Sequence, residues 1–256
     1  MNNTKRCMTG IAGALLVCLI AISTASAYDT DTACASLKEV IAGSNDLTAL
    51  ELVSKYSDDS VSVIKLWTDS VIGPEETLCT SLDQTIEENE KGDELSRVIL
   101  TLVTNKQRVS YELSPEKSVF VELPEPVEFP DSSIARVTTD TAATSRGNDL
   151  NRNYALIHES WHASGNPFSF WIRSVTSPPT TMYVMSVSTW IKRQVGARWV
   201  DSCYAGKTQF GAKIVNASGG PLTLQSGTYK QFDTFSGYHA NYTWYEENRE
   251  SATFPI

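Results

Sequence analysis

Histidine is scarce in this 256-residue chain, with three in all, and no glutamate occurs from residue 160 to residue 245. A site built from imidazoles or carboxylates in the second half must therefore draw on few positions. The sequence has no G-x-S-x-G elbow, no glycine-rich phosphate loop and no paired-cysteine metal motif, so nothing in it points to elbow-type hydrolases, P-loop enzymes or zinc ribbons. Basic residues are outnumbered, 21 Lys and Arg against 30 Asp and Glu for a formal net charge of −9, and they form no cluster. That balance argues against a nucleic-acid partner, because phosphate backbones need concentrated positive charge. Beyond residue 27 no apolar run approaches the roughly 20 residues a membrane-spanning helix requires.

What the N-terminus does have is the pattern of a secretory signal peptide over residues 1–27. Lys5 and Arg6 form a basic start, Ile11 to Ile22 supply an apolar stretch, and Ala25-Ser26-Ala27 is an A-x-A cleavage site before Tyr28. The mature chain is expected to be secreted or held at the cell surface with no transmembrane span; an uncleaved signal anchor is the alternative. Cleavage would remove Cys7 and Cys18 and leave Cys34, Cys79 and Cys203. Cys34 and Cys79 both lie in helix-like segments, so their pairing is the expected disulfide, with Cys203 free, buried or used between chains. Three buried thiols is the alternative.

Charge divides the mature sequence. Residues 28–131 hold 22 acids against 8 Lys and Arg, whereas residues 132–256 hold 8 acids against 11. Aromatics divide the same way, 6 of 24 before residue 132 and 18 after it. In the acidic part, Val61, Ile64, Leu66, Trp67, Val71 and Ile72 give an i, i+3, i+4 stripe that stops at Gly73-Pro74, and Leu95 to Val103 repeats the period. Pro74-Glu75-Glu76 opens a helix with proline and acids in its first turn. Residues 28–113 are therefore predicted as an acidic helical region, a small bundle. Residues 114–149, with Pro124, Pro126 and Pro130, read as a Pro/Ser/Thr-rich connector in which Val119-Phe120-Val121 could form a short edge strand. From residue 150 to 256 strands separated by turn residues suggest an aromatic β-rich domain, sandwich- or barrel-like. The fold class expected is α+β, a helical bundle followed by a β domain.

The run His158-Glu159-Ser160-Trp161-His162 uses two of the three histidines. On a helix, His158 and His162 would share a face one turn apart and could hold Zn²⁺ while Glu159 activates water. On a strand, four residues separate the histidines by about 13 Å, too far to chelate one ion. A helix would be capped by Asp149 and end at Gly165-Asn166-Pro167; a strand would turn at Ser164 to Pro167 and pair with Phe168 to Ile172. The motif resembles that of zincin metallopeptidases over these five residues. With Gly165 it also resembles the start of the metzincin pattern, with Phe168 where that group has its third histidine and Met182 at a methionine-turn-like position. The resemblance implies His158 and His162 as zinc ligands and Glu159 as general base. Asp201, Asp233, His239, Glu246, Glu247 or Glu250 would then complete the sphere, and His239 is the best chemical match.

A second feature is the aromatic set Trp190, Trp199, Tyr238, Tyr242, Trp244 and Tyr245, which could form a platform for a carbohydrate, a membrane or a protein, or simply a core. Asn216-Ala217-Ser218 and Asn241-Tyr242-Thr243 fit glycosylation sequons. The reading that results is an exported or cell-surface binding or structural protein, non-catalytic and without a cofactor. A small zinc peptidase is the alternative, and a membrane-active β protein the third option.

Overall fold

The computed structural model describes residues 28–90, 95–114, 117–125, 127, 155–239 and 244–256. The signal-like segment and most of the 114–149 connector lie outside them. Helix α1 (Thr30–Ala42) precedes β1 (Leu47–Tyr56), β2 (Val61–Trp67) and the short β3 (Val71–Ile72). Helix α2 (Pro74–Glu90) leads to β4 (Leu95–Thr104), β5 (Arg108–Ser114) and β6 (Val119–Glu122). Then come β7 (Ala155–His162), β8 (Phe168–Ser177), β9 (Met182–Val195), β10 (Arg198–Ala212), β11 (Ile214–Leu224), β12 (Thr228–Tyr238), β13 (Trp244–Glu250) and β14 (Phe254–Pro255).

These strands make two antiparallel sheets. The large one runs β13-β12-β9-β10-β2-β1-β4-β5-β6, with β14 added beside β12; the small one runs β3-β11-β8-β7. Pairing of β2 with β10, Leu66 opposite Cys203 and Ile64 opposite Ala205, joins the acidic and aromatic halves in one sheet. On the inward face of β2, β1 and β4 lie Ile64, Leu66, Leu50, Leu52, Leu100 and Leu102, all buried. Helix α2 packs there through Leu78, Leu82 and Ile86, an i, i+4, i+8 stripe, and α1 through Ala33, Leu37 and Ile41. The small sheet covers the inward face further along, setting Phe168, Phe170 and Ile172 against the core that Val187, Ile191, Ala205 and Phe235 share. Among the described residues no helix is long and apolar enough to cross a membrane.

The helical bundle expected over residues 28–113 is not formed. Only α1 and α2 are helical there, and the stripe from Val61 to Ile72 and the run from Leu95 to Val103 are strands. The reason is that these strands are apolar on both faces. In β4, Val98, Ile99, Leu100, Thr101 and Leu102 are all buried in succession. In β2, Val63 faces one way and Ile64 and Leu66 the other. A strand buried on both sides loses its period-two alternation, and chance spacings of three and four then imitate a helix. The β-branched content of β2 was the better guide. Other expectations match what is observed: α2 begins at Pro74, β6 is the edge strand, and Cys34 is bonded to Cys79, clamping α1 to α2. Cys203 is a free thiol, buried in β10, and burial raises its pKa well above the usual range.

Local chemistry places the small sheet with little freedom. At the β7–β8 turn the Asn166 amide donates to Leu224 O (2.8 Å) and accepts from Leu224 N (2.9 Å), tying the turn to the end of β11. On β11, Gly219 lies under the Phe170 ring, where a Cβ would sit 2.4 Å from a ring carbon, and the pairing with β8 shifts register between Gly219 and Leu222. Gly220, at φ +104°, makes that irregularity possible.

Candidate functional site

Strand β7 carries the His158–His162 run, and strand alternation divides it between two faces. His158 and His162 point toward the large sheet, where they meet Phe235, Tyr245 and Phe254; Glu159 and Trp161 point to solvent. The His158 ring stacks on Phe235 (centroids 4.4 Å) and Tyr245 (5.8 Å), and its side chain is 4% exposed. Nδ1 is buried without a hydrogen-bond partner among the described residues, and Nε2 is 3.8 Å from Glu247 Oε2. Burial, aided by Arg249 and opposed by Glu247, lowers the His158 pKa from 6.5 to about 4.

His162 stacks on Phe254 (4.0 Å), and its Nδ1 is 2.7 Å from Gln231 Oε1. Gln231 Nε2 donates to Thr189 and Asp233, so Oε1 is the acceptor and the hydrogen-bond network assigns the proton to His162 Nδ1. Both rings therefore serve as polar-edged aromatic packing. Their positions four residues apart on a strand separate their backbones by about 13 Å, and Glu159 faces away, bonded to Arg173 Nε (2.9 Å) and Nη2. His239 follows the end of β12. Among the described residues no group of three His, Cys, Asp or Glu is placed to hold a metal.

The depressed pKa of His158 fixes the sign of a pH effect. Between pH 6.5 and about 4 the unfolded chain binds a proton that the folded chain does not, so stability is complete above 6.5 and falls as pH drops toward 4. The loss attributable to His158 is roughly 2 kcal/mol after allowance for water at the ring edge. Urea midpoints of the wild type and of His158→Phe across pH 4–7 check it: the variant should show the shallower slope, and parallel curves would refute the assignment.

The aromatic set predicted as a platform is dispersed. Tyr245 is buried beside His158, with its ring over Gly237. Tyr238 is half-buried at the end of β12, Trp244 begins β13, and Tyr242 lies outside the described residues. Trp190 and Trp199 belong to the outward face of the large sheet, with Trp67, Tyr204 and Phe232. Each ring group there carries a lysine, and each lysine has a carboxylate. Lys192 lies over Trp190 and Phe232 and bonds Asp201 (3.0 Å); Lys230 lies over Trp199 and Phe232 and bonds Glu250 (2.6 Å). Lys65 lies over Tyr204 and is 3.3 Å from Glu51. This face is a second small core, with Val53, Val63 and Tyr204 buried beneath the rings, and it is already sealed.

The outward face of the small sheet is different. Register sets its side chains in three rows across β7, β8 and β11: Trp161, Trp171 and Ser218; then Glu159, Arg173 and Asn216; then Ile157, Val175 and Ile214. Trp161 is 49% exposed, Ile157 44% and Ile214 46%. No lysine covers the two tryptophans among the described residues, and the only charges in the rows are the mutually bonded Arg173 and Glu159. Two rows of partly exposed apolar side chains, with a mutually neutralised ion pair between them, make this face the candidate contact surface, since isolated surface hydrophobes do not line up in rows.

Trp171 and Arg173 were not singled out in the sequence. The signal lay in the hairpin itself: a turn over Ser164 to Pro167 puts Trp161 opposite Trp171, as the pairing shows. Comparison of the chain with protein-family models and with curated proteins finds no match to either.

Proposed function

We propose that this chain is an exported, non-catalytic binding protein whose small sheet presents the contact surface. The observation that carries this reading is the grid that begins with the opposed pair Trp161 and Trp171: Trp161 is exposed, Trp171 is half-buried beside it, and no lysine lies over either among the described residues, whereas Trp190 and Trp199 lie under Lys192 and Lys230. Export rests on the basic start, apolar stretch and A-x-A site of residues 1–27. The non-catalytic part rests on the engagement of the motif: its histidines are stacked in packing and its glutamate is held by Arg173.

Fractionation of cultures producing the tagged full-length chain tests this. The wild type should leave the cell and be retained on the outer surface or matrix, and the Trp161→Ala/Trp171→Ala double variant should be released into the medium with its melting temperature unchanged. Retention inside the cell, or equal retention of both forms outside it, would sink the proposal.

A further inference from the structure

Size, charge and chemistry of this face together narrow the occupant. Its rows stand about 7 Å apart on strands about 4.8 Å apart, which with side-chain overhang gives on the order of 250 Å². A stable protein partner or a second copy of this chain requires about 800 Å² on each side. The face is thus small for a protein interface and sized for a short, flat ligand. Its net charge is zero, because Arg173 donates twice to Glu159 Oε2. An anionic polymer or anionic lipid would find no free cation there, and the lysine-free rows contrast with the outward face of the large sheet.

We infer that the face binds a neutral oligosaccharide, an inference that rests on the binding reading above. The faces of pyranose rings present C–H bonds with slight positive charge, which suit the negative π-faces of Trp161 and Trp171. Sugar hydroxyls point outward from the ring edge and need donors and acceptors beside the aromatic row. The middle row supplies both. Arg173 uses two of its five N–H donors on Glu159, Glu159 keeps acceptor lone pairs, and Asn216 and Ser218 are exposed alongside. The apolar third row, Ile157, Val175 and Ile214, gives a second C–H contact two rows from the tryptophans. Side chains held in register by three hydrogen-bonded strands need little reordering on binding, so few rotamers are lost.

The test is affinity electrophoresis of the full chain, produced without N-glycosylation so that Asn216 is bare, through gels containing hydroxyethylcellulose, laminarin, galactomannan or pectate. Co-sedimentation with vesicles of equal phosphatidylcholine and phosphatidylglycerol accompanies it. Retardation by at least one neutral glycan is expected, weakened about tenfold or more in Trp161→Ala and in Trp171→Ala. It should be partly kept in Trp161→Phe, which preserves a ring, and unaffected in Lys192→Ala on the other face. Circular dichroism melts of each variant confirm that the fold persists. No retardation by any neutral glycan, or retardation that survives the double tryptophan variant, overturns the inference. Preference for pectate or for vesicles that is lost in the double variant overturns the neutral-glycan assignment while leaving the contact face itself in place.

Discussion

Replacing Phe170 by alanine should destabilise the protein by about 3–5 kcal/mol, toward the upper end of that range. The ring is 1% exposed, stands 5.8 Å from Phe168, and covers Gly219, which has no side chain to move into the space left behind. A cavity that cannot collapse retains its full cost. For a chain of this size the loss corresponds to a melting temperature lower by about 10 °C. Because β8 carries Phe170 inward and both Trp171 and Arg173 outward, the same substitution should loosen the contact face, whereas Trp161→Ala should leave the melting temperature near wild type. A loss below 1 kcal/mol would mean that the two sheets do not meet through this ring.

Removing the Cys34–Cys79 bridge should have an effect of similar size. The two cysteines are 45 residues apart, and the chain entropy released to the unfolded state by opening such a loop corresponds to about 4 kcal/mol. The loop contains β1, β2 and β3, so the bridge restrains the strands as well as the two helices it joins. Paired Cys34→Ala/Cys79→Ala substitution avoids a stray thiol and should lower the urea midpoint accordingly; an unchanged midpoint would show that α1 and α2 stay docked without the bond. Thiol titration gives a separate check. Among the described residues the native fold should show no reactive cysteine, since Cys203 is buried and its pKa raised; denaturation should expose that one thiol, and reduction two more.

How much of this was legible depended on whether a signal was local. Pro74-Glu75-Glu76 announced α2 because proline and acids at a helix start act within one turn. The turn from Ser164 to Pro167 announced the β7–β8 hairpin for the same reason, although the helical alternative used the same residues as a stop. β2 and β4 were hidden by burial on both faces; for β2 the outward side is covered through Val63, which packs with Val53 of β1, Trp190 of β9 and Tyr204 of β10. The fate of the histidines was hidden in the same way: Phe235, Tyr245 and Phe254, against which they stack, come from β12, β13 and β14. Five residues at metal-site spacing specified a chelate only if they were helical, and the pairing partner of β7 decided otherwise.

The pairing of β2 with β10 has a consequence for how the molecule is made. Residues 61–66 meet residues 203–208, so the centre of the large sheet cannot close until most of the chain has emerged. A ribosome that has delivered only the first half leaves β2 with one open edge and an apolar stripe on each face, the kind of strand that recruits neighbours. Folding governed by contacts this distant in sequence is slow compared with that of a helical bundle. A chain that stays open during synthesis is also one that can still be threaded through a membrane pore.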